Sequence, residues 1–276
     1  MKRPIRFHKA FSMLELIFVI IILGIVSSIG AEIIANTYES YVLQRAQHRA
    51  SLKTELAATQ IANRLAYAIP GTVVRKSSLG DASATDINQP GVTSDTILQW
   101  VGADADSFKA ITSSANRKPG WSGFCDVNAS TTTSISTPGS NLALTTAIRT
   151  NLGLTAANPK IYFPAESGLV SARASLPFPA GAESINLSTP TPKIVEHYKL
   201  ATSSYALVAD GDLKLYYNFD PSIGVDATNA TAQVLLRNVS TFEFRGDGRT
   251  IRFKICVDED IGENYKITIC KEKAVF

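Results

Sequence analysis

The longest apolar run of the chain lies at its start. Phe11 opens this run, and no polar side chain occurs between Leu16 and Val26. Extended to Ala31, the run has about 20 residues, enough for a helix to cross a hydrocarbon core of ~30 Å. Its only acid is Glu15, and a carboxylate within a span costs about 2.5–3.5 kcal/mol on insertion scales. The pattern predicts a transmembrane helix over 11–31 that carries one acid a plain anchor does not need.

Helix-forming residues continue beyond the apolar run. No Pro or Gly occurs from Ala31 to Ala68, and the segment is rich in Ala, Leu, Glu, Gln and Arg. Spacings of four or five residues predict one apolar face formed by Leu52, Leu56, Ile61, Leu65 and Ile69. Pro70 ends the pattern. We expect one helix that continues over 32–69, and the alternative is two helices that meet at Gly30, because Gly costs ~1 kcal/mol in a helix.

The middle of the chain, 70–192, has weak patterning. Short strands are indicated at Val73–Val74 and Thr96–Val101, and a short helix at Leu142–Leu152. The Ser/Thr-rich tract 129–141 has the composition of an exposed loop or a disordered insert. This pattern predicts a loop-rich part of a head domain and does not indicate what its surface binds.

Alternating apolar and polar positions dominate the last part, 193–276. Tyr205–Ala209 and Leu213–Phe219 flank a turn at Gly211, and three further alternating segments follow from Val239. The alternation predicts an antiparallel meander with one apolar face, which suits packing against the amphipathic half of the helix. The predicted fold class is α+β, a long N-terminal helix packed on an antiparallel sheet.

The first ten residues form a basic leader with no acid. Its cations are Lys2, Arg3, Arg6 and Lys9. Positive charge beside a span favours the cytoplasmic side, so we expect a single-pass membrane protein with an exported head. The net charge is +3, and without the four leader cations 23 of the 27 basic residues remain against 24 acids, or −1. The balance argues against nucleic acid as an obligatory ligand.

The three cysteines allow one disulfide and one thiol. If Glu263 is the centre of the last hairpin, Cys256 faces Cys270, and opposed antiparallel residues lie within disulfide range. Export to an oxidising compartment supplies the chemistry. We therefore expect a Cys256–Cys270 disulfide, with a bridge from Cys125 to one of the two as the alternative.

Candidate chemistry is sparse. His8, His48 and His197 are the only histidines, and no HExxH, CxxC, GxSxG or P-loop motif occurs. Three Asp-x-Asp pairs could be read as cation sites: Asp104 with Asp106, Asp210 with Asp212, and Asp258 with Asp260. None continues into an EF-hand pattern. The sequence predicts a protein that is not an enzyme, with no catalytic residue, metal, cofactor or small-molecule substrate.

The start of the chain resembles the class III signal of type IV prepilins and type II secretion pseudopilins. The resemblance rests on Lys9-Ala10-Phe11-Ser12-Met13-Leu14-Glu15-Leu16 and covers about a tenth of the chain. It implies that prepilin peptidase cuts between Ala10 and Phe11, that Phe11 is then N-methylated, and that Glu15 guides assembly. Ala10 stands where the family usually has Gly, and the span lacks the late Pro of major pilins.

The resemblance implies a structural role. We expect a minor subunit of a type II secretion pseudopilus or a type IV pilus, because the head is large for a major subunit. Its partners are then prepilin peptidase, other pilin or pseudopilin subunits, the inner membrane and the assembly platform. The alternatives are a membrane-anchored adhesin, which would use the Ser/Thr-rich tract, and a component of a DNA-uptake pilus. A basic group on the last sheet fits the second alternative: Arg237, Arg245, Arg249, Arg252 and Lys254.

Overall fold

The computed structural model describes residues 12–81, 83–91, 95–111, 117–164, 171–174, 178–191, 193–262 and 265–276. These residues contain helices α1 Met13–Leu65, α2 Ala105–Lys109 and α3 Leu142–Asn151. The strands among them are β1 Val74–Lys76, β2 Thr85–Asp86, β3 Ile97–Ala103, β4 Ser134–Ser136, β5 Lys160–Tyr162, β6 Ser171–Arg173, β7 Ser184–Asn186, β8 Lys199–Asp210, β9 Asp212–Phe219, β10 Thr231–Leu236, β11 Val239–Asp247, β12 Thr250–Gly262 and β13 Tyr265–Val275. The α+β class is confirmed.

The chain divides into two compact units. The first holds the described residues up to Arg49 together with the tip of the β12–β13 hairpin from Asp260 to Ile267. The second, which we call the head, holds Ala50–Glu259 and Thr268–Phe276. Both large clusters of buried apolar side chains lie in the head.

Helix α1 is continuous over 53 residues. Its first turn is capped by Ser12, whose Oγ accepts a hydrogen bond from the backbone N–H of Glu15 at 3.3 Å. Gly30 lies within the helix, so the alternative of two helices is wrong. Leu65 ends the helix five residues before Pro70.

The buried face of α1 differs from the predicted one. Ile61, Leu65 and the following Ile69 are buried as expected, but Leu52 and Leu56 are 51% and 63% exposed. Small side chains occupy the buried positions before Ile61, and these are Ala50, Thr54, Ala57 and Ala58. Ala57 and Ala58 belong to the core cluster shared with both sheets, and the larger Leu52 and Leu56 lie on the exposed side of the helix. The hydroxyl of Thr54 is satisfied within the helix, since it donates to the Ala50 carbonyl at 2.7 Å.

The larger sheet of the head has eight strands. Its main order is β10-β9-β8-β3-β1-β2, and β5, which also pairs with β6, joins it beside β8. The predicted hairpin at Gly211 is confirmed, because Asp210 pairs with Asp212 and Gly211 adopts a φ of +66°. Strand β3 confirms the strand predicted at 96–101, and residues Ile97 to Gly102 in it are all buried.

The last three strands form a separate sheet in the order β11-β12-β13. The expectation of one C-terminal meander is therefore wrong, since β8, β9 and β10 belong to the larger sheet. Asn238 stands between β10 and β11 with a φ of +57°, a left-handed conformation that turns the chain out of the first sheet. The backbone N–H of Val239 then donates to the Gly211 carbonyl at 2.7 Å.

One core joins the helix to both sheets. Ile61 and Leu65 of α1 lie in the same cluster as Trp100 and Leu215 of the larger sheet and Phe253 of the smaller one. The predicted apolar face of β12 is confirmed, because every second residue is buried in this cluster: Ile251, Phe253, Ile255 and Val257. Packing the amphipathic half of α1 on antiparallel strands gives the head a layout like that of pilins.

The Ser/Thr-rich tract 129–141 is partly folded into the head, so its prediction as an exposed or disordered loop is wrong from Ser134 onward, whereas 131–133 are exposed. Residues Ser134–Ser136 form β4, which pairs with β7, and Ile135 and Thr137 are fully buried. Short hydroxyl side chains bind the local backbone here, as when Ser130 Oγ donates to the Asp126 carbonyl at 2.5 Å and accepts from the Ser136 N–H at 2.9 Å. Composition alone did not reveal these local bonds.

Candidate assembly segment

The first half of α1 presents an uncovered apolar surface. No side chain from Met13 to Arg49 is buried. Large apolar side chains in this half are exposed all round the helix, among them Leu16, Phe18, Ile21, Ile25 and Ile29. Helix α1 is long and apolar enough to span a membrane. The segment fits a single-pass membrane anchor.

Glu15 lies in the first turn of α1 with an exposed side chain. It is the only acid between Met13 and Ala31. Within the described part of the chain, no cation lies within ion-pair distance of its carboxylate. Both residues of the predicted cleavage site, Ala10 and Phe11, lie outside the described residues. Cleavage, methylation and the assembly role of Glu15 therefore stay predictions.

Ion pairs attach the head half of α1 to the edge strand β13. Glu55 accepts from Lys273 at 2.7 Å and lies 3.7 Å from Lys271. Lys273 also donates to the hydroxyl of Thr59 at 2.8 Å. The hydrogen bond from Lys273, more than the charge of the two lysines, lowers the pKa of Glu55. This network links α1 to β13, the outer strand of the smaller sheet.

The disulfide between Cys256 and Cys270 is present, as predicted. Their Cα atoms lie 4.0 Å apart across β12 and β13. The same predicted register places Asp258 beside Thr268, whose hydroxyl donates to it at 2.8 Å. Cys256 is only 3% exposed, although it alternates along β12 with the apolar residues Ile255 and Val257. The bridge links the middle of β12 to the middle of β13, and the predicted centre at Glu263 lies outside the described residues.

Cys125 is a free, buried thiol, which excludes the alternative disulfides. Its Sγ lies 3.4 Å from the hydroxyl of Ser130. Burial raises the pKa of the Cys125 thiol, so the thiolate is disfavoured near neutral pH. The position is that of a small packing residue in the second core cluster, beside Trp121 and Tyr198.

The Asp-x-Asp pairs have structural partners. Asp104 caps α2 by accepting from the Ser107 N–H at 3.0 Å, and burial raises the pKa of Asp104. Asp212 accepts from the Asn238 N–H at 3.1 Å, and Asp260 pairs with Lys266. In the described ranges, no group of three or more His, Cys, Asp or Glu side chains could hold a metal ion.

The basic residues of the smaller sheet are only partly paired. Glu243 lies opposite Lys254, and their charged groups are 3.8 Å apart. Arg245 lies directly opposite Arg252, and like charges in this arrangement repel. His48 on α1 and His197 just before β8 are exposed.

Comparisons with protein-family models, curated proteins and solved structures find no match to this chain. Function is therefore inferred from two features of the chain itself. These are the N-terminal motif and an apolar helix whose second half packs on antiparallel strands.

Proposed function

We propose that this chain is a pilin-type subunit that polymerises through the first half of α1. The observation that carries the proposal is an uncovered apolar helix with a single acid in its first turn, preceded in sequence by a basic leader. The subunit belongs to a type II secretion pseudopilus or a type IV pilus as a minor component. Its head faces the periplasm, an oxidising compartment in which the Cys256–Cys270 bridge is stable.

Glu15 supplies the assembly chemistry in this proposal. Cleavage before Phe11 frees an α-amino group four residues from Glu15. The carboxylate of one subunit pairs with the amino group of its neighbour, and each charge removes the cost of leaving the other unpaired in a low-dielectric setting. The apolar side chains around Glu15 then pack against neighbouring helices instead of lipid.

A substitution of Glu15 separates assembly from anchoring. In a plain anchor, Glu15→Gln removes a charge from the span, so membrane insertion improves or stays unchanged. In a subunit, the same change removes the partner of the amino group and assembly is lost. Glu32→Gln is the matched control, because Glu32 is another exposed acid on the same helix.

The test uses the full chain in cells that contain prepilin peptidase and the other subunits. A photo-crosslinking residue replaces Ile21 in the apolar half of α1. We expect cross-links to neighbouring subunits in the parent and in Glu32→Gln, and their loss in Glu15→Gln with the membrane-inserted amount unchanged. Cross-linking by Glu15→Gln equal to that of the parent contradicts the proposal.

A DNA-uptake pilus is the second candidate, favoured by the directly opposed Arg245 and Arg252. Phosphate would relieve the repulsion between the two guanidinium groups. In that case, duplex DNA binds the purified chain with an affinity that falls as salt rises, and the double change R245Q/R252Q weakens binding and flattens the salt dependence. Equal binding by the double variant excludes this candidate.

A further inference from the structure

The head contains four asparagines in the triplet Asn-x-Ser/Thr: Asn128, Asn186, Asn229 and Asn238. Where x is not Pro, this triplet is the acceptor signal for N-glycosylation, which modifies exposed segments of exported proteins. A chain rich in Ser and Thr contains such triplets by chance, so the triplet by itself assigns no site. The structure separates the four asparagines by exposure, hydrogen bonding and neighbouring charge.

Two of the four asparagines are held by the fold. Asn186 lies in β7, and its side-chain oxygen accepts a hydrogen bond from the hydroxyl of Ser134 on β4 at 3.3 Å. The backbone N–H of Asn238 donates to the carboxylate of Asp212 at 3.1 Å, and its carbonyl accepts from the Asp258 N–H at 3.0 Å. The residue after each asparagine is buried. A transferase that draws either triplet into its own site must break these bonds and expose an apolar side chain.

The other two asparagines, Asn128 and Asn229, lie on exposed turns. Within the described ranges, neither side-chain amide forms a hydrogen bond. The residue that follows each asparagine is alanine, whose small side chain leaves the amide uncovered. Exposure and hydrogen bonding therefore leave these two asparagines as candidate acceptors.

Asp126 distinguishes Asn128 from Asn229. It lies two residues before Asn128, and its carboxylate accepts from the backbone N–H groups of Asn128 and Ala129 at 3.0 and 3.1 Å. Ala227, which is buried and uncharged, has the equivalent position before Asn229. Bacterial transferases read a longer signal, in which an acid at this position pairs with a cation of the enzyme. Of the four triplets in the sequence, only the one at Asn128 has this acid.

We propose that Asn128 is an N-glycosylation site. The donor is an oligosaccharide linked through its anomeric carbon to a polyprenyl diphosphate. The side-chain nitrogen of Asn128 attacks that carbon, the bond from the carbon to the diphosphate oxygen breaks, and the diphosphate leaves with the electron pair. One proton of the amide passes to a base. The site goes beyond polymerisation through α1 and rests on the proposed function only for the export of the head.

The closed turn indicates when the sugar is transferred. The acceptor signal includes the hydroxyl of Ser130, but in the fold this hydroxyl donates to the Asp126 carbonyl at 2.5 Å and accepts from the Ser136 N–H at 2.9 Å. The carboxylate of Asp126 is held by the same turn. We therefore expect transfer to precede the closing of this turn, after which the folded head presents the sugar on the exposed Asn128.

The test is the mass of the peptide that contains Asn128, measured on the full chain extracted from the membranes of the cells that make it. We expect an added mass of whole sugar residues on Asn128 and none on Asn229. The Cys256–Cys270 bridge, measured in the same digest, reports that the head has reached an oxidising compartment.

The bridge separates the two proposals. A bridged chain without sugar on Asn128 overturns the glycosylation alone. A chain with reduced cysteines and no sugar overturns the export on which both proposals depend. A glycosylated chain whose leader is uncleaved contradicts the pilin pathway and supports the site at Asn128.

Substitutions identify the signal. Asn128→Gln should abolish the added mass, whereas Asn229→Gln, on the other exposed turn, should not change it. Asp126→Asn keeps an oxygen for the two backbone hydrogen bonds but removes the charge, and should lower the occupancy of Asn128 by about tenfold. Ser130→Ala should abolish the modification, and Ser130→Thr, which keeps the hydroxyl, should retain it. Sugar on Asn229 instead of Asn128, or an Asp126→Asn chain as fully modified as the parent, overturns the proposal.

Discussion

Up to Arg49, helix α1 buries no side chain, whereas from Ala50 onward it buries six. The exposed half is the more hydrophobic of the two, with large aliphatic residues such as Ile22, and the buried half uses alanines beside Ile61. Hydrophobicity therefore does not decide burial along this helix. Burial requires a partner, and the head supplies one only to the second half. The first half needs lipid or other subunits, which is the physical basis of the proposed function.

The largest change in stability should come from a substitution in the buried half of α1. Ile61→Ala removes a fully buried side chain from the cluster that joins α1 to both sheets, and should lower the free energy of unfolding of the head by about 2–5 kcal/mol. Leu56→Ala, at an exposed leucine of the same helix, should change it by less than about 0.5 kcal/mol. Denaturant unfolding of the full chain in detergent, followed by near-UV circular dichroism, measures both. Similar losses of unfolding free energy for the two variants would contradict the burial of Ile61 and the exposure of Leu56.

Removing the disulfide should have the next largest effect. The double change Cys256→Ser and Cys270→Ser opens a loop with a sequence separation of 14, and should cost about 3 kcal/mol of head stability. The same unfolding assay checks this value, and a reducing agent should reproduce it in the parent. A double variant as stable as the parent would show that the bridge adds nothing to the pairing of β12 with β13.

A charge introduced into the exposed half of α1 should weaken membrane insertion and leave the stability of the head unchanged. Ile22→Asp places a carboxylate in the centre of the apolar segment and should cost about 2.5–3.5 kcal/mol of membrane insertion. Head unfolding should remain unchanged, because Ile22 lies outside the head. Carbonate extraction of membranes measures insertion, with Ile22→Leu as the control. A head destabilised by Ile22→Asp would contradict the division between the two halves.

The smallest effect concerns pH. Because the pKa of Glu55 is lowered in the folded head, mainly by the Lys273 hydrogen bond, this residue adds stability that is present above its ordinary value of 4.5. That stability is lost as the pH falls through the folded pKa. Glu55→Gln should therefore flatten the decline of the melting temperature below about pH 5, and Glu272→Gln, an exposed acid on β13, should not. If the melting temperatures of Glu55→Gln and the parent fall in parallel with pH, ionised Glu55 does not contribute to the stability of the head.

The sequence predicts the elements whose signals are local and repeated. Alternation around a turn was sufficient to place Cys256 opposite Cys270, and the absence of Pro and Gly was sufficient to extend the helix to the head. Both follow from backbone periodicity, which needs no knowledge of distant partners.

The features that depend on distant contacts were missed. Leu52 and Leu56 were placed on the buried face because alanine and threonine give no strong hydrophobic signal, yet small size is what close packing requires. The split of the C-terminal strands at Asn238 depends on which strands meet. Such pairing is a property of the whole fold and leaves little trace in one stretch of sequence.

The proposed function requires a mature chain that begins at Phe11. N-terminal sequencing and intact mass of the membrane-extracted protein, from cells with and without prepilin peptidase, test this directly. We expect a chain that starts at N-methylated Phe11 when the peptidase is present and at Met1 when it is absent. A chain that starts at Met1 in both cells, or one cut near Ala31, would contradict the pilin pathway and leave the first half of α1 as an ordinary anchor or export signal.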